Sequence, residues 1–318
     1  MDLDSKTVSL SSGTDLKYDG LIIATGARCR TLPGAENLEG VYTLRGLDDA
    51  LAIRAAFDSK PNRVVVVGAG FIGAEVAATA RDRGLEVSMI EVAPVPFERV
   101  LGADMGKVLA DVHRDHGVEV ITGIGVDCLK GHSKVEKVVL TDGREIEADV
   151  VVIGIGVIPN TEWLEGSGLE IDNGVLCDET CLAAPNVVAA GDVARWPNRL
   201  FGEVMRVEHW DNAVEQGMYA ARRLLAGESQ IDPYTPTPWF WTDQFDRKIQ
   251  LAGRTRPDDE IKIITGSTEE RRFATIYGRE DRLVGILGFN RPRHVMQYKQ
   301  MIADRVSWID AIAHAEEQ

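Results

Sequence analysis

Apolar runs alternate with amphipathic segments along most of the chain, and this pattern predicts an α/β fold. The clearest unit is residues 63–91. Its β-branched run RVVVV predicts a central parallel strand, AEVAATARDRG predicts a helix ended by Gly84, and LEVSMIE predicts the next strand. A helix at about 103–116, the strand VEVI, a polar hairpin region and a buried strand within 148–160 complete a predicted Rossmann-like domain.

Segments on either side of this unit predict the remaining structure. The sequence LDDALAIRAAF has helical spacing, with its predicted apolar face formed by Leu47, Ala50, Leu51 and Ala55 and with Phe57 near the edge of that face. LIIATG and NVVAAGD predict short buried strands that end at glycine, and residues 207–227 predict a long amphipathic helix. After the proline-rich segment DPYTPTP, four alternating strands and two helices predict a C-terminal α+β domain.

The glycines of GAGFIG, residues 68–73, follow a predicted strand and open a predicted helix. Gly68 permits the tight turn, Gly70 lets the backbone approach a pyrophosphate, and Gly73 lets the helix pack on the strand. The free N–H groups at the helix N-terminus favour phosphate. Glu91 ends the next strand, where its carboxylate can accept both ribose hydroxyls and repel a 2′-phosphate. The unit therefore predicts an NADH site; a turn used only for packing is the alternative.

Further candidates stand at the ends of other predicted strands. Gly154 and Gly156 would let a ligand lie close to the backbone, or would simply form a turn. Asp192 can either cap a helix or accept a hydrogen bond from a cofactor hydroxyl. Aromatic residues near the C-terminal domain are core residues by default, but a flat ring system between domains would give them a second use; they are Trp210, Trp239, Phe240, Trp241 and Phe245.

Composition narrows the classes of function. The net charge of −15 argues against nucleic acid as a partner. Residues 1–232 carry 22 basic and 37 acidic side chains, whereas residues 233–318 carry 13 of each, so the last third would repel an acidic protein least. The four cysteines lack CxxC spacing, which predicts free thiols and no metal site. With no signal peptide and no apolar run of membrane-spanning length, we expect a cytoplasmic protein.

Six motifs, in order, resemble the FAD-dependent ferredoxin reductases of the putidaredoxin reductase and aromatic-dioxygenase reductase type. They are ATGA, LRGLDDA, VVVVGAGFIGAEVAATA, GIGVIPN, VVAAGDVA and PWFWTDQFDRKIQLAG. The resemblance implies a flavoprotein in which NADH passes a hydride to FAD and electrons go on to a 2Fe-2S ferredoxin or rubredoxin. It also implies three domains: a remnant of the FAD-binding domain at 1–40 and 158–232, the NAD-binding domain at 41–157, and a C-terminal interface domain at 233–318.

The same resemblance assigns individual residues. Glu75, Glu208 and Trp210 would align the nicotinamide with the flavin. The implied FAD contacts are Thr25, Gly26, Arg45, Asp192, Trp210 and Trp241. The implied NAD contacts are Gly68, Gly70, Ile72, Gly73, Glu75, Glu91, Gly154 and Gly156.

One departure from the family's pattern affects the flavin. The sequence opens just before the family's YDxLxxATG strand, so we expect the unit that binds the FAD pyrophosphate to be lacking. Loss of two or three charged hydrogen bonds, at about 1.5–3 kcal/mol each, would weaken FAD roughly a hundredfold or more. We also expect exposed strand edges and apolar faces, which would favour a homodimer.

Three functions therefore compete at this point. The chain is an NADH-dependent reductase with weakened or shared FAD, a flavin-free NAD(H)-binding enzyme that uses the vacated pocket for another substrate, or a non-catalytic remnant. Flavin absorbance of the purified protein would support the first, and saturable NADH binding without flavin would support the second.

Overall fold

Short strands form the beginning of the chain in the computed structural model, which describes residues 1–227 and 229–317. Strands β1 (Thr7–Ser9) and β2 (Asp15–Lys17) make an antiparallel hairpin. They are followed by β3 (Leu21–Ile23), β4 (Ala27–Cys29), β5 (Val41–Thr43) and helix α1 (Leu47–Asp58).

The buried face of α1 is displaced from the predicted one: Phe57, predicted at its edge, is buried, and Ile53, which was not predicted, is buried with it. Ile53 and Phe57 lie in the core, whereas Leu47 is 74% exposed and Leu51 is 41% exposed. The predicted alanines at positions 50 and 55 are exposed as well. Ile53 and Phe57 are separated by one helical turn, and together they remove more apolar surface from water than a face containing two alanines.

The middle of the chain forms the predicted Rossmann-like domain. Its elements in chain order are β6 (Arg63–Val67), α2 (Phe71–Asp82), β7 (Glu86–Glu91), α3 (Glu98–Asp115), β8 (Glu119–Thr122), β9 (Val126–Gly131), β10 (Val135–Leu140), β11 (Glu145–Glu147) and β12 (Val150–Ile153). Five strands pair in parallel in the order β5-β12-β6-β7-β8, while β9, β10 and β11 form the hairpin region as an antiparallel sheet. Residues 64–67 and 150–153 are buried because both faces of the parallel sheet are covered.

A smaller lobe combines the first strands with a later part of the chain. It contains β13 (Val157–Pro159), β14 (Val175–Leu176), β15 (Leu182–Ala184), β16 (Val187–Ala189), β17 (Ala194–Asn198), β18 (Glu203–Met205) and α4 (Trp210–Ala226). Strand β3 pairs in parallel with β16, and no strand in the described ranges pairs with its other edge. Trp196 is completely buried in the core of this lobe.

The outer face of α4 is apolar and exposed, as the sequence led us to expect of this lobe. Its exposed apolar residues are Trp210, Val214, Met218 and Leu225. The opposite face is polar but buried, and it carries Asp211, Asn212 and Gln216. Helix α4 therefore presents to solvent the kind of surface that helices normally cover.

Two chain crossings connect the smaller lobe with the Rossmann-like domain, and they lie side by side. Strands β4 and β13 pair antiparallel, with Cys29 opposite Val157. Beside them the Thr25 hydroxyl donates to the carbonyl of Asn160 at 3.0 Å, and the Asn160 side-chain amide donates to the carbonyl of Thr25 at 2.8 Å. The two crossings thus form one hydrogen-bonded ribbon.

The C-terminal part forms an antiparallel sheet in the order β19-β20-β23-β22-β21, followed by two helices. Its elements are β19 (Trp239–Gln244), β20 (Arg247–Gly253), β21 (Glu260–Ser267), β22 (Arg272–Arg279), β23 (Arg282–Phe289), α5 (Pro292–Ala303) and α6 (Trp308–Glu316). One face of the sheet packs on α3 and the other on α5 and α6. The α+β prediction is confirmed, but the aromatic segment that forms β19 was not predicted as a strand.

The proposed three-domain division follows these sheets, and its boundaries stay a prediction. Among the described residues, no helix combines the length and apolar character needed to cross a membrane.

Candidate functional site

The turn after β6 uses its three glycines in three different ways. A methyl group at Gly68, where φ is +98°, would lie 2.3 Å from the carbonyl oxygen of Gly154, and one at Gly73 would lie 2.0 Å from that of Gly68. These two positions therefore hold the turn against the strand ends and against the helix. A methyl group at Gly70 would meet nothing within 4 Å, so the backbone there faces open space. This opening, at the N-terminus of α2, fits an approaching pyrophosphate.

Glu91 closes one side of the same turn from the end of β7. Its Oε2 accepts a hydrogen bond from the main-chain N–H of Ala69 at 2.9 Å, and its Oε1 accepts one from Ala93 at 2.9 Å. These bonds fix the carboxylate beside the turn while leaving lone pairs for further donors. The position suits a carboxylate that binds ribose hydroxyls, as the sequence predicted.

Gly154 and Gly156 follow β12 and border the turn. The N–H of Gly154 donates to the carbonyl of Val67 at 2.7 Å, which ties the end of β12 to the end of β6. Gly156 has φ of +95°, a conformation that favours glycine. Both residues line the large cavity described next. The two predicted roles, forming a turn and letting a ligand lie close to the backbone, are therefore compatible at these glycines.

A cavity of about 650 Å³ lies where the three parts of the chain meet. Among the residues predicted for the site, those that line it are Gly70, Ile72, Glu75, Gly154, Gly156, Glu208, Trp210 and Trp241. Predicted residues that do not line it are Thr25, Gly26, Arg45, Gly68, Gly73, Glu91 and Asp192. The nucleotide turn and the aromatic wall therefore share one space of the size that cofactors occupy.

Glu75 is the half-buried carboxylate of this cavity. It projects from α2, and its Oε1 accepts a hydrogen bond from the hydroxyl of Thr242 at 2.6 Å. Burial raises its pKa above the ordinary value, while the bond from Thr242 acts in the opposite direction. The residue thus stands as an acceptor at the edge of the cavity.

The second carboxylate, Glu208, is held by a cation. Its Oε1 lies 2.7 Å from Nη1 of Arg206, which also donates to the carbonyl of Asp192 at 3.1 Å. His209 is the next residue, and burial lowers its pKa to about 4, so its ring is neutral near pH 7. A main-chain hydrogen bond with Trp239 acts against this lowering of the pKa.

Two tryptophans form the flat part of the wall. Trp210 is 72% exposed at the start of α4, and its ring stands nearly edge-on to that of Trp241, with centroids 6.2 Å apart. Trp239 lies 5.5 Å from Trp241 and carries Lys299 Nζ 5.1 Å above its ring. A large aromatic face left open inside a cavity fits a planar ring ligand better than a core position.

Asp192 does not cap a helix, which corrects one of the two predicted alternatives. It lies within a single 3-10 turn whose N-cap is Ala190, and its carboxylate instead pairs with Arg45 Nη2 at 2.7 Å. Gly26, with φ of +64°, sits beside the same guanidinium. These residues form a charged cluster next to the cavity, and the main chain of Gly191 is held from α4 by Gln216 at 2.9 Å.

Several lining residues were not predicted from the sequence. They are Cys29, Leu44, Phe71, Arg99, Arg206, Arg254 and Arg256. The three-dimensional arrangement brings them together from distant parts of the chain, although Phe71 lies within the predicted glycine turn and Arg254 and Arg256 share one loop. Glu203 is the common partner of Arg254 and Arg256, with a distance of 3.3 Å to each.

Of the cysteines, only Cys29 lines the cavity. All four cysteines are free, and burial raises the pKa of both Cys177 and Cys181 to about 12. Within the two described ranges, no group of His, Cys, Asp and Glu side chains could hold a metal ion.

Comparison with known proteins covers nearly the whole chain. Residues 1–217 match the family described as Pyridine nucleotide-disulphide oxidoreductase, and residues 239–317 match the Reductase C-terminal family. Putidaredoxin reductase of Pseudomonas putida is 37% identical over 311 residues, which cover 95% of this chain and 72% of the relative.

Solved structures agree with the sequence relatives. The ferredoxin reductase for the CYP199A2 system of Rhodopseudomonas palustris has a TM-score of 0.89 and 37% identity, covering 96% of this chain and 76% of the other. The covalent putidaredoxin reductase–putidaredoxin complex has a TM-score of 0.88 and 35% identity, covering 96% of this chain and 74% of the other.

Proposed function

The chain belongs to the pyridine nucleotide-disulphide oxidoreductases that carry a reductase C-terminal domain, and from this premise we propose its reaction and the residues that serve it. It is an NADH-dependent oxidoreductase of the ferredoxin reductase type, with FAD and NADH as cofactors and a ferredoxin as electron acceptor. The flavin-free alternative is not favoured, because the relatives that align with nearly the whole chain are ferredoxin reductases.

A single observation supports the location of the reaction. The cavity of about 650 Å³ is bounded by Gly70 and Gly154 on the nucleotide side and by Trp210 and Trp241 on the other side. A dinucleotide whose phosphates lie at the turn can therefore extend its nicotinamide end toward the tryptophans. Hydride transfer requires two flat rings in contact with the donor and acceptor atoms aligned, and this wall arrangement permits such contact.

The residues of the chain bind and orient the nicotinamide nucleotide. The open backbone at Gly70 and the N-terminus of α2 take the pyrophosphate, and Glu91 accepts hydrogen bonds from the ribose hydroxyls. Glu75 and Glu208 stand at the nicotinamide end, where each offers carboxylate oxygens as acceptors. None of these groups forms a covalent bond to the nucleotide; their contribution is alignment and exclusion of water.

The wall also fits the ring end of FAD. An exposed Trp210 and an edge-on Trp241 provide a flat contact for this ring. The Arg45–Asp192 pair, with Thr25 and Gly26 nearby, supplies groups for the polar part of the cofactor. The chemistry that FAD supplies when bound is acceptance of a hydride and release of electrons one at a time.

The acceptor and the assembly extend the proposal. The C-terminal part has balanced charge, and Arg254 and Arg256 lie at the cavity, so an acidic iron–sulfur protein would be repelled least there. A rubredoxin is the alternative acceptor of the same chemistry. A second copy of the chain that covers the exposed Val214, Met218 and Leu225 of α4, and leaves Trp210 at the cavity, would form the proposed homodimer, which light scattering of the purified protein would detect.

Anaerobic reconstitution tests the reaction. The purified chain is mixed with FAD, freed of excess cofactor and then treated with one equivalent of NADH, while flavin absorbance is followed. Loss of the flavin absorbance, followed by reduction of cytochrome c only when a 2Fe-2S ferredoxin is added, is the expected result. Retained flavin that NADH leaves oxidised would contradict the proposed function.

A further inference from the structure

A chain of buried polar side chains leads from α3 through β19 to Glu75. Nε2 of His113 lies 2.9 Å from Oε1 of Gln244, and Nε2 of Gln244 donates to the hydroxyl of Thr242 at 3.2 Å. The Thr242 hydroxyl lies 2.6 Å from Oε1 of Glu75. Four side chains from three elements are thus connected end to end, and the last one borders the cavity.

The donors and acceptors of these four side chains determine the direction of every hydrogen bond between them. The amide oxygen of Gln244 can only accept, so Nε2 of His113 carries a proton and donates it to that oxygen. The amide N–H of Gln244 then donates to Thr242, whose own proton is left for Glu75. Burial lowers the pKa of His113 to about 4, which keeps its ring neutral. Every donor therefore points toward the carboxylate.

The enclosure of the chain makes it rigid. Thr242 is 1% exposed, and Gln244 and His113 are fully buried. Buried polar groups that lose their partner are costly, so each member holds its neighbour in a single orientation. Glu75 itself is the only member at the cavity, where it is half-buried.

We propose that Thr242, supported by Gln244 and His113, is a positioning residue that fixes one oxygen of Glu75 and so presents the other oxygen to the carboxamide N–H of the nicotinamide. The inference rests on the proposed NADH-binding function of the cavity. It assigns to the C-terminal domain a part in binding NADH, because Thr242 and Gln244 belong to β19 whereas Glu75 belongs to α2.

Loss of the Thr242 hydroxyl should therefore act on one end of the nucleotide only. Without the Thr242 hydroxyl, Glu75 keeps only the main-chain hydrogen bond from Asp243 among the described residues, so its carboxylate can turn away from the nicotinamide. The hydrogen bond from the nicotinamide to this charged acceptor corresponds to about tenfold in affinity. The proposed site of the ADP-ribose end is at Gly70 and Glu91. None of the four hydrogen-bonded side chains contacts these two residues, so binding of the ADP-ribose end should not change.

Calorimetric titration of the purified chain with NADH and, separately, with ADP-ribose tests this. Thr242→Val should weaken NADH about tenfold and leave ADP-ribose within twofold, while Thr242→Ser, which keeps the hydroxyl, should restore NADH affinity. Thr275→Val is the matched control, because Thr275 is equally buried in the same sheet and donates to the carbonyl of Lys262 at 3.0 Å, away from the cavity. It should change neither affinity.

A double-mutant cycle shows whether Thr242 acts through Glu75. In the Glu75→Ala background, Thr242→Val should cause no further loss of NADH affinity, since the group it positions is gone. Additive losses, or equal losses of NADH and ADP-ribose in Thr242→Val, would overturn this inference alone. A wild-type chain that binds neither ligand would overturn the proposed function, and the inference with it.

Discussion

Two alanine substitutions in the same turn should separate folding stability from nucleotide binding. At Gly73 an added methyl would lie 2.0 Å from the carbonyl oxygen of Gly68, whereas at Gly70 it would meet nothing within 4 Å. Gly70 also has φ of −78°, which alanine adopts without strain. Gly73→Ala is therefore a change in packing, and Gly70→Ala is a change in the space offered to a ligand.

The magnitudes follow from these distances. At Gly73 the helix must retreat from 2.0 Å toward the 3.4 Å of ordinary contact against main-chain atoms that cannot rotate away. Overpacking of this kind costs about 1–3 kcal/mol, occasionally more. Gly70→Ala should instead be neutral or stabilise by up to about 1 kcal/mol, because it restricts the unfolded chain. Its methyl blocks a pyrophosphate hydrogen bond worth about 1.5–3 kcal/mol, so NADH affinity should fall at least about tenfold.

Urea denaturation and calorimetric NADH titration, run on both variants, measure the two effects. Gly217→Ala serves as the control, because Gly217 lies inside α4, an added methyl would meet nothing within 4 Å, and it is outside the cavity. That variant should be slightly more stable and bind NADH normally. Wild-type NADH affinity in Gly70→Ala, or an unchanged urea midpoint in Gly73→Ala, would refute the roles assigned to these glycines.

Three further predictions concern specificity and stability. Glu91→Ala should weaken NADH and lower the preference for NADH over NADPH about tenfold in kcat/KM, and an unchanged preference would count against the ribose-binding role. Burial raises the pKa of Asp211 to about 6 in the folded protein, although the charge of Lys299 nearby acts in the opposite direction. The folded protein therefore binds this proton more tightly than the unfolded chain does, so the free energy of unfolding decreases as pH rises from about 4 to 6. Above pH 6, Asp211→Asn should therefore have a free energy of unfolding about 2 kcal/mol higher than that of the wild type in urea titrations. Near pH 4 the two proteins should be equally stable. Asp259 accepts two hydrogen bonds from Arg279, at 2.7 and 2.9 Å, so Asp259→Ala should lower the free energy of unfolding by about 3 kcal/mol in urea titrations; a loss below 1 kcal/mol would contradict this.

Local sequence patterns predicted those elements whose structure is determined by residues close to them in the sequence. The β6–α2–β7 unit could be predicted because strand, glycine turn and helix each have a strong signal within 29 residues. The sequence also located Glu91 and Gly70, since both are fixed by that unit. These positions required no knowledge of the rest of the chain.

Long-range packing decided what the sequence could not predict. Thr242 and Glu75 are 167 positions apart, and no local pattern marks their contact. The centre of the α1 face that meets the core was predicted wrongly, with only Phe57 at its edge correct, because the choice depends on the sheet beneath the helix. The aromatic side chains of β19 suggested core packing or contact with a flat ring ligand, but not a strand, and no pattern marked the part of this strand in the buried polar network.

The ribbon of β4 and β13 limits how the smaller lobe and the Rossmann-like domain can move relative to each other. Two connections that are hydrogen-bonded along their length resist rotation of the lobe against the domain, whereas a single flexible connection would allow it. The ribbon can flex across its thin direction, so opening of the cavity is confined to a hinge about one axis. That restriction keeps Cys29 opposite Val157, and so holds two neighbouring parts of the cavity lining, Cys29 and Gly156, at a fixed spacing.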